Sequence, residues 1–376
     1  MRAQSRLALF LGAGASQFAG YRTFADFPQL LFDEELRRAE DLPAIPPGPL
    51  GMLQQIKNAL EATDVPTTHD NFLWRLDAYT QLLRLNQRDP VLKDYLRTAK
   101  LHDLYLLTDG AVDAMAKTTV RHYSANRIDR AQAVAPLVYQ RLKDAYDLYR
   151  QLAILASPRS ALPIFTTNYD MLLEDLFSTF RGDFRLNAGF DRDMCDGATW
   201  LAPAYERTKA HPERVAHLFR LHGCCCWFYH GHGDDNIYFH RRDAVQHSHR
   251  RLCAMYPGLE REKGSGPHGH AFKYLNQQLR SCDLIVFIGF SFRDDDVMHV
   301  LLNACADRSS PLKILVIDKS LSAADVRNRL QNAARRSTFV TAVPSANMVT
   351  SVRMSFGLDT DFARTIVEEC VSLLKG

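Results

Sequence analysis

Near the N-terminus the chain reads Leu7-Ala8-Leu9-Phe10-Leu11-Gly12-Ala13-Gly14-Ala15-Ser16. The apolar run at its start is too short for a buried helix and predicts a strand that is covered on both faces. Glycines at 12 and 14 let a backbone approach a ligand closely, and the start of a following helix offers amides to a phosphate. The spacing is not GxGxxG, so an ordinary tight strand-to-helix turn remains the alternative.

Four later apolar runs resemble the first, and each ends in small or polar residues. They are residues 162–167, 218–221, 284–288 and 314–317. Helical patterns over 171–180, 296–306 and 323–333 follow three of these runs. The alternation predicts an α/β fold with a Rossmann-like parallel sheet, helices on both faces and a large helical insertion. In such sheets the ligand lies beyond the carboxyl ends of the strands, where these polar residues fall.

The insertion is predicted between residues 50 and 156, where helical periodicity dominates and a Pro-rich segment over 42–49 precedes it. Its clearest apolar stripe contains Val138, Leu142, Tyr146 and Tyr149, which is typical of a core or a subunit interface. The expected organisation is a Rossmann-like core over 1–49 and 157–340, the insertion over 50–156, and a C-terminal strand with helices over 341–376 that packs on the core.

Bulk composition excludes several classes of protein. The net charge of +3 over 376 residues gives no indication of direct nucleic-acid binding, and no apolar run is long enough to cross a membrane. The apolar run after Arg6 is also too short for a signal peptide. The eight cysteines are scattered except for Cys224-Cys225-Cys226, so we expect a reducing, cytoplasmic setting.

Candidate functional residues follow two of the predicted strands. Asn168 can orient a water or a sugar hydroxyl, or it can be a plain turn residue, and Asp170 can also cap the helix that follows it. His222 comes directly before Gly223, and an imidazole that titrates near neutral pH suits a general base. A structural histidine is the alternative.

The next two strand ends resemble the first turn in composition. Gly289 and Ser291 let the backbone come near a phosphate or a ribose. Asp318 ends the last strong strand and can accept hydrogen bonds from ribose hydroxyls, or it can cap the next helix.

Taken together, these segments resemble the sirtuin family in motif and in order along the chain. The corresponding residues are Gly12, Ala13, Gly14, Ala15 and Ser16 with Gly20 and Phe24, then Thr167-Asn168-Tyr169-Asp170, Leu221-His222-Gly223, Gly289-Phe290-Ser291 and Asp318. Each motif is short, but four of them in the family order are specific.

The resemblance implies that the chain uses NAD as a substrate. Gly12 to Ser16 would hold the pyrophosphate, with Phe24 and Thr167 also binding. Asn168 would orient water or the ribose, His222 would act as base, and Asp170 would support Asn168 or the nicotinamide pocket. Gly289, Ser291 and Asp318 would bind the adenosine half.

Two departures from the sirtuin deacylases change the expected reaction. Their GIPDF motif is replaced by Gly20-Tyr21-Arg22-Thr23-Phe24, and their two C-x-x-C pairs for structural zinc are missing, so no zinc is expected. The chain is more similar to the bacterial sirtuin-like proteins of antiphage defence, which implies an NAD hydrolase that depletes NAD. The alternatives are an NAD-dependent protein deacylase or ADP-ribosyltransferase, and a non-catalytic NAD- or ADP-ribose-binding assembly subunit.

The resemblance also implies partners. We expect a homo-oligomer, for which Tyr139, Tyr146, Tyr149, Trp74 and Tyr79 of the insertion offer apolar surface. A separate partner such as a HerA-type ATPase or an Argonaute-like protein is a further expectation.

Overall fold

A computed structural model provides the structure of this protein. It describes residues 6–23, 26–63, 72, 75–76, 101–156, 161–180, 182, 184–192, 196–208, 215–229, 237–241, 252–254, 266–336, 349–353 and 362–375.

Strands and helices alternate over most of these residues. The strands are β1 (Leu7–Leu11), β2 (Leu162–Thr166), β3 (Arg185–Asn187), β4 (Ala198–Thr199), β5 (Val215–Arg220), β6 (Gly223–Tyr229), β7 (Ile237–Phe239), β8 (Leu252–Ala254), β9 (Leu284–Ile288), β10 (Lys313–Asp318) and β11 (Val349–Arg353). The α-helices are α1 (Phe27–Phe32), α2 (Glu34–Ala39), α3 (Pro47–Ala62), α4 (Leu101–Ser124), α5 (Arg127–Val134), α6 (Pro136–Ala156), α7 (Leu172–Thr179), α8 (Gly266–Ser281), α9 (Asp295–Ala306), α10 (Ala323–Arg336) and α11 (Phe362–Lys375).

The main sheet contains seven parallel strands in the order β11-β10-β9-β1-β2-β5-β3. Every residue of β1, β2 and β9 is buried, which explains why these strands are continuous apolar runs rather than alternating patterns. Phe10 of β1 lies opposite Phe165 of β2 and Phe287 of β9. The predicted Rossmann-like α/β fold is confirmed.

The strand order reverses direction at β1. From β1 the chain builds β2, β3 and β5 on one side of the sheet and then returns to add β9, β10 and β11 on the other side. A crevice opens beyond the carboxyl ends of the strands at such a reversal, and ligands of open α/β sheets bind there. The ends of β1, β2 and β9 therefore form the edge where this topology predicts a ligand site.

The helices α3 to α6 lie between β1 and β2 in the chain, where a helical insertion was predicted. Tyr146 packs against Phe177, Phe180 and Phe184, and both Tyr146 and Tyr149 are buried within the subunit. These two tyrosines were expected to offer an oligomer surface, and that expectation is wrong because α7 and the segment after it cover Tyr146. Trp74 and Tyr79 lie outside the described residues.

Two further parts complete the fold. A small antiparallel sheet has the order β4-β7-β6-β8, with β4 before β5 in the chain and the other three strands after it, and it carries the three consecutive cysteines on β6. At the C-terminus β11 pairs with β10, while α11 packs against α6. Among the described residues, no helix combines the length and apolarity that a bilayer crossing requires.

The first turn, residues 12–16 after β1, packs directly against the turn after β9. The amide of Gly14 donates to the carbonyl of Gly289 over 3.0 Å. A Cβ added at Gly12 would lie 2.5 Å from that carbonyl oxygen, and one added at Gly14 would lie 2.8 Å from the Cα of Gly289. Gly12 and Gly14 therefore allow a close approach between two turns of the chain, and the predicted approach of this turn to a ligand stays a prediction.

The segment after the first turn also differs from the sequence expectation of a helix start. It forms two 3-10 helices, Ala13–Ala15 and Gln17–Ala19, and the first α-helix begins only at Phe27. The positive φ of 88° at Gly20 ends the second 3-10 helix. Short 3-10 turns offer fewer aligned amides than a long helix, so a phosphate here would meet turn amides with little helix dipole behind them.

We expect Gly289→Ala to destabilise the fold by about 2–4 kcal/mol. The cost of overpacking against the first turn adds to the strain of a non-glycine residue at a left-handed φ. The φ of Gly289 is +60°, and its new Cβ would lie 2.3 Å from the amide nitrogen of Ala15. Urea unfolding followed by circular dichroism measures the change. Gly51→Ala is the matched control, since an added Cβ in α3 meets nothing within 4 Å and removes a helical glycine. That control should be neutral or stabilising by up to about 1 kcal/mol, and equal losses in both variants would contradict the account.

Candidate active site

Asn168 lies at the junction of the first two strands. Thr166, the last residue of β2, donates its hydroxyl to the carbonyl of Leu11 at 2.9 Å and accepts the amide of Asn168 at 3.0 Å. The side-chain amide of Asn168 then donates to the carbonyl of Gly12 at 2.9 Å and to the hydroxyl of Ser16 at 3.1 Å. The first turn and the Asn168 turn, which are distant in the chain, therefore form one hydrogen-bonded unit.

Asp170 is connected to the same unit. Its carboxylate accepts the amide of Leu172, the first residue of α7, at 3.0 Å. The N-cap residue is Met171, so Asp170 holds the helix start from one position before the cap that the sequence predicted for it. It also accepts a hydrogen bond from Ser16, while burial raises its pKa above the ordinary value against the opposing effect of Arg220. A carboxylate in this position holds Ser16, and through Ser16 it holds the Asn168 amide.

Arg220, at the end of β5, fixes the backbone of this turn. Its guanidinium donates to the carbonyls of Asn168 and Asp170, each at 2.7 Å, and pairs with Glu174 of α7 at 2.6 Å. Both partners of the ion pair are buried. Burial raises the pKa of Glu174 to about 7, and Arg220 opposes that rise.

A cavity with a volume of about 10 Å³ lies beside this unit. Its polar lining comes from Ser16, Thr166, Asn168, Asp170 and Arg220. This volume is close to the minimum that one water molecule occupies, and the lining offers both donors and acceptors.

His222 lies on the turn between β5 and β6, next to the Asn168 turn. Its Nε2 is 2.9 Å from Oδ2 of Asp294, the residue that precedes α9. Tyr169 lies with its ring centroid 6.3 Å from that of His222. Only 4% of His222 and 8% of Asn168 are exposed, so a ligand group that reaches either of them must be small.

The backbone beside His222 is also held. Nδ1 of His268 donates to the carbonyl of Leu221 at 3.1 Å, and Nε2 of the same ring lies 3.3 Å from Sγ of Cys253. Because a carbonyl can only accept, His268 carries its hydrogen on Nδ1 and accepts on Nε2. This histidine therefore has the structural role that is the usual one for a buried imidazole.

The remaining predicted binding residues divide between the first turn and the strand ends near β9 and β10. Ala13, Ala15 and Ser16 lie in the turn described above, with Ser16 facing inward, and Thr167 is half-buried between Thr166 and Asn168. Phe24 lies outside the described residues. The contacts of these residues with a ligand remain predictions.

The strand ends at β9 and β10 hold Gly289, Ser291 and Asp318. Ser291 is exposed, and its carbonyl accepts from the guanidinium of Arg329. Oδ1 of Asp318 accepts from the amides of Ser320 and Leu321 at 2.8 and 3.0 Å, which both lie before α10 begins at Ala323. The hydroxyl of Ser322 accepts the amide of Asp325 instead, so the alternative that Asp318 caps this helix is wrong. Gly289 contacts the first turn, which places this edge beside Gly12 and Gly14.

The cysteines and histidines of the described residues do not form a metal-binding cluster of three or more ligands. Cys224, Cys225 and Cys226 are all buried in β6, and the Sγ atoms of Cys225 and Cys226 are 3.7 Å apart. The three thiols also lie within hydrogen-bonding reach of one another, and the register of β6 against β8 shifts between Gly223 and Phe228.

Four residues of the site were not predicted from the sequence: Glu174, Arg220, His268 and Asp294. Arg220 precedes Leu221-His222, and Asp294 follows Ser291, so both lie within three residues of a predicted position. In the sequence, each of these two is only a charged residue at the end of an apolar strand or just before a helix. Many ordinary solvent-exposed residues fit the same description, so the pattern did not single them out.

A doubly wound parallel sheet with small residues and polar side chains at the carboxyl ends of its central strands defines a Rossmann-like α/β protein. Residues 163–338 match the family model of the SIR2-like domain. The strand β1, which precedes the matched residues, completes its sheet between β2 and β9. This match supports an NAD-using, sirtuin-like activity.

No curated protein matches the chain. Similar solved structures include a mutant Sir2 homologue in complex with 2′-O-acetyl-ADP-ribose, with 10% identity over 98% of this chain and 94% of that chain and a TM-score of 0.40. Sir2Tm bound to a propionylated peptide gives 11% identity over 98% and 94% with a TM-score of 0.38. A further Sir2 enzyme gives 10% identity over 99% and 95% with a TM-score of 0.38.

We expect Glu174→Gln to destabilise the protein by about 3 kcal/mol, because it leaves the buried Arg220 charge without its counter-ion. Urea unfolding measures the difference. The control is Glu368→Gln, which removes one partner of an ion pair with Arg364 in which both side chains are 70% exposed. An exposed pair contributes less than about 0.5 kcal/mol, so a control that loses as much as Glu174→Gln would contradict this role.

Proposed function

We propose that this protein hydrolyses the nicotinamide–ribose bond of NAD and releases nicotinamide and ADP-ribose. The SIR2-like domain supports the use of NAD. The observation that carries hydrolysis is the polar cavity beside Asn168, whose volume is sufficient for one water molecule. The small exposed fractions of Asn168 and His222 favour a small nucleophile over an acyl-lysine side chain.

The reaction joins NAD and one water to give nicotinamide, ADP-ribose and one proton. The bonding electron pair leaves with the nicotinamide ring and neutralises its positive charge, so the ribose carbon acquires oxocarbenium character. Asn168 orients the water or a ribose hydroxyl, and His222 accepts the proton that is released. Asp170 supports Asn168 through Ser16, as their hydrogen bonds indicate.

The other half of NAD would lie along the edge formed by the first turn and the ends of β9 and β10. Gly12 to Ser16 would hold the pyrophosphate, while Gly289, Ser291 and Asp318 would bind the adenosine half. A positive charge above the first turn supports this assignment, since Nζ of Lys319 donates to the Gln17 side chain at 3.1 Å.

In the cell we propose that NAD loss is the output, as part of antiphage defence in the cytoplasm, with a homo-oligomer as the working form and a HerA-type ATPase or Argonaute-like protein as partner. Exposed apolar side chains on the insertion support an assembly: Val134, Leu137 and Ile154 are 73%, 63% and 65% exposed. Sedimentation of the purified chain tests the oligomer, and a strict monomer at micromolar concentration would contradict it.

We expect Asn168→Ala and His222→Ala each to lower nicotinamide release from NAD by at least about 100-fold, since each removes a group that positions or deprotonates the nucleophile. Chromatography of nicotinamide and ADP-ribose measures the reaction. The assay uses the chain alone and the chain co-expressed with the product of its neighbouring gene.

His299→Ala is the control for these variants because His299 lies exposed on α9, and it should retain full activity. Undiminished turnover in both site variants would overturn the assignment of the site. Nicotinamide release that requires an acylated peptide or a protein acceptor would replace hydrolysis by deacylation or transfer. Binding of NAD without turnover, with and without the partner, would leave a binding module instead of an enzyme.

A further inference from the structure

We propose that Asp294 is a positioning residue for His222, whose imidazole it orients and whose protonated form it stabilises. The inference deepens the proposed function and rests on it, because His222 is the base in that reaction. Asp294 was not among the residues that the sequence motifs singled out.

The geometry leaves the Asp294 carboxylate little freedom. One oxygen, Oδ1, accepts the amide of Val297 at 3.1 Å and caps α9. The other, Oδ2, lies 2.9 Å from Nε2 of His222. The side chains are 11% and 5% exposed, so water competes weakly for this contact and the attraction is stronger than on the surface.

This contact selects the tautomer of the histidine. An ionised carboxylate can only accept, so Nε2 of neutral His222 carries the hydrogen and Nδ1 carries the lone pair. A proton taken from water or from a ribose hydroxyl therefore goes to Nδ1. Asp294 stays ionised throughout and faces the positive charge that forms on the ring.

The ionisation of Asp294 is consistent with this role. Burial opposes its charge, but His222 and the amides of Val297 and Asp296 outweigh burial and hold its pKa below the ordinary value. The hydrogen bond that caps α9 and the contact with His222 thus both lower the pKa of Asp294.

Other ionisable groups near the ring come from several elements. Tyr169, from the turn after β2, faces the imidazole at 6.3 Å between centroids. His268 of α8 binds the carbonyl before His222 and faces Cys253 of β8. Arg220 of β5 directs its guanidinium to Glu174 and two carbonyls, whereas Asp294 places a carboxylate in contact with the ring.

A purely structural role for Asp294 as a helix cap gives a different expectation. Asparagine caps helices about as well as aspartate, so Asp294→Asn keeps the cap and removes the charge. A cap alone predicts no change in the pH dependence of the reaction.

The experiment compares pH profiles of kcat/KM for NAD in the wild-type chain, Asp294→Asn and Asp295→Asn. Without the carboxylate the imidazolium is less stable, so the acid limb should move to lower pH by about one unit. The plateau should fall by about 10- to 1,000-fold because the ring is less well oriented. Asp295→Asn removes an equal charge from the exposed first turn of the same helix and should leave both quantities unchanged. Asp294→Glu keeps the charge and should keep the acid limb while lowering the plateau.

A second readout does not need turnover. Imidazole ¹⁵N resonances of His222, assigned by their loss in His222→Ala, report the tautomer and the titration midpoint. We expect hydrogen on Nε2 and a lower midpoint in Asp294→Asn. Hydrogen on Nδ1, or the same midpoint in both proteins, would overturn the inference. If these resonances behave as expected but even the wild-type chain releases no nicotinamide, the pairing stands and the proposed reaction fails.

Discussion

The geometry of the candidate site depends on the ion pair and the hydrogen bonds of the buried Arg220 guanidinium. A charge in the interior is tolerated only when its counter-ion and its hydrogen-bond acceptors are all present. Glu174 supplies the charge, and the carbonyls of Asn168 and Asp170 supply acceptors. The turn that carries Asn168 cannot move away without leaving that charge partly unpaired. The ion pair, whose burial costs desolvation, therefore also holds the candidate site in one conformation.

A second buried pair sits beside the first on the same helix. Asp175 follows Glu174 in α7 but faces Arg241, which also donates to the carbonyl of Ser124. Burial raises the pKa of Asp175 to about 6, and Arg241 opposes that rise. One turn of α7 thus connects the main sheet through Arg220 and the region after β7 through Arg241. Because the consecutive residues Glu174 and Asp175 pair with different arginines, this short helix is bound both to the end of β5 and to the segment after β7.

The sequence predicted the fold well, and the site only in part, for a physical reason. Apolar runs such as Leu7–Leu11 and Leu284–Ile288 are specified locally, since a strand covered on both faces needs an unbroken run. Asn168 and His222 could be found because they follow such runs. The partners of these residues could not: Asp294 meets His222 only after the sheet brings their turns together, and nothing local distinguishes it from Asp295 or Asp296. The same holds for the packing of Gly12 and Gly14 on Gly289.

The helical insertion also takes part in the site, although it lies outside the strand motifs. At the end of α4, the carbonyl of Tyr123 accepts the amide of Met171. The hydroxyl of Tyr123 donates to the carbonyl of Arg22. Nε2 of the neighbouring His122 accepts the amide of Arg22 at 3.1 Å, and burial lowers the pKa of His122, which favours this neutral, accepting form. One end of a helix therefore holds both the segment that follows the first turn and the start of α7 beyond Asp170. Three hydrogen bonds from α4 thus fix the backbone at Arg22 and at Met171, on both sides of the candidate site.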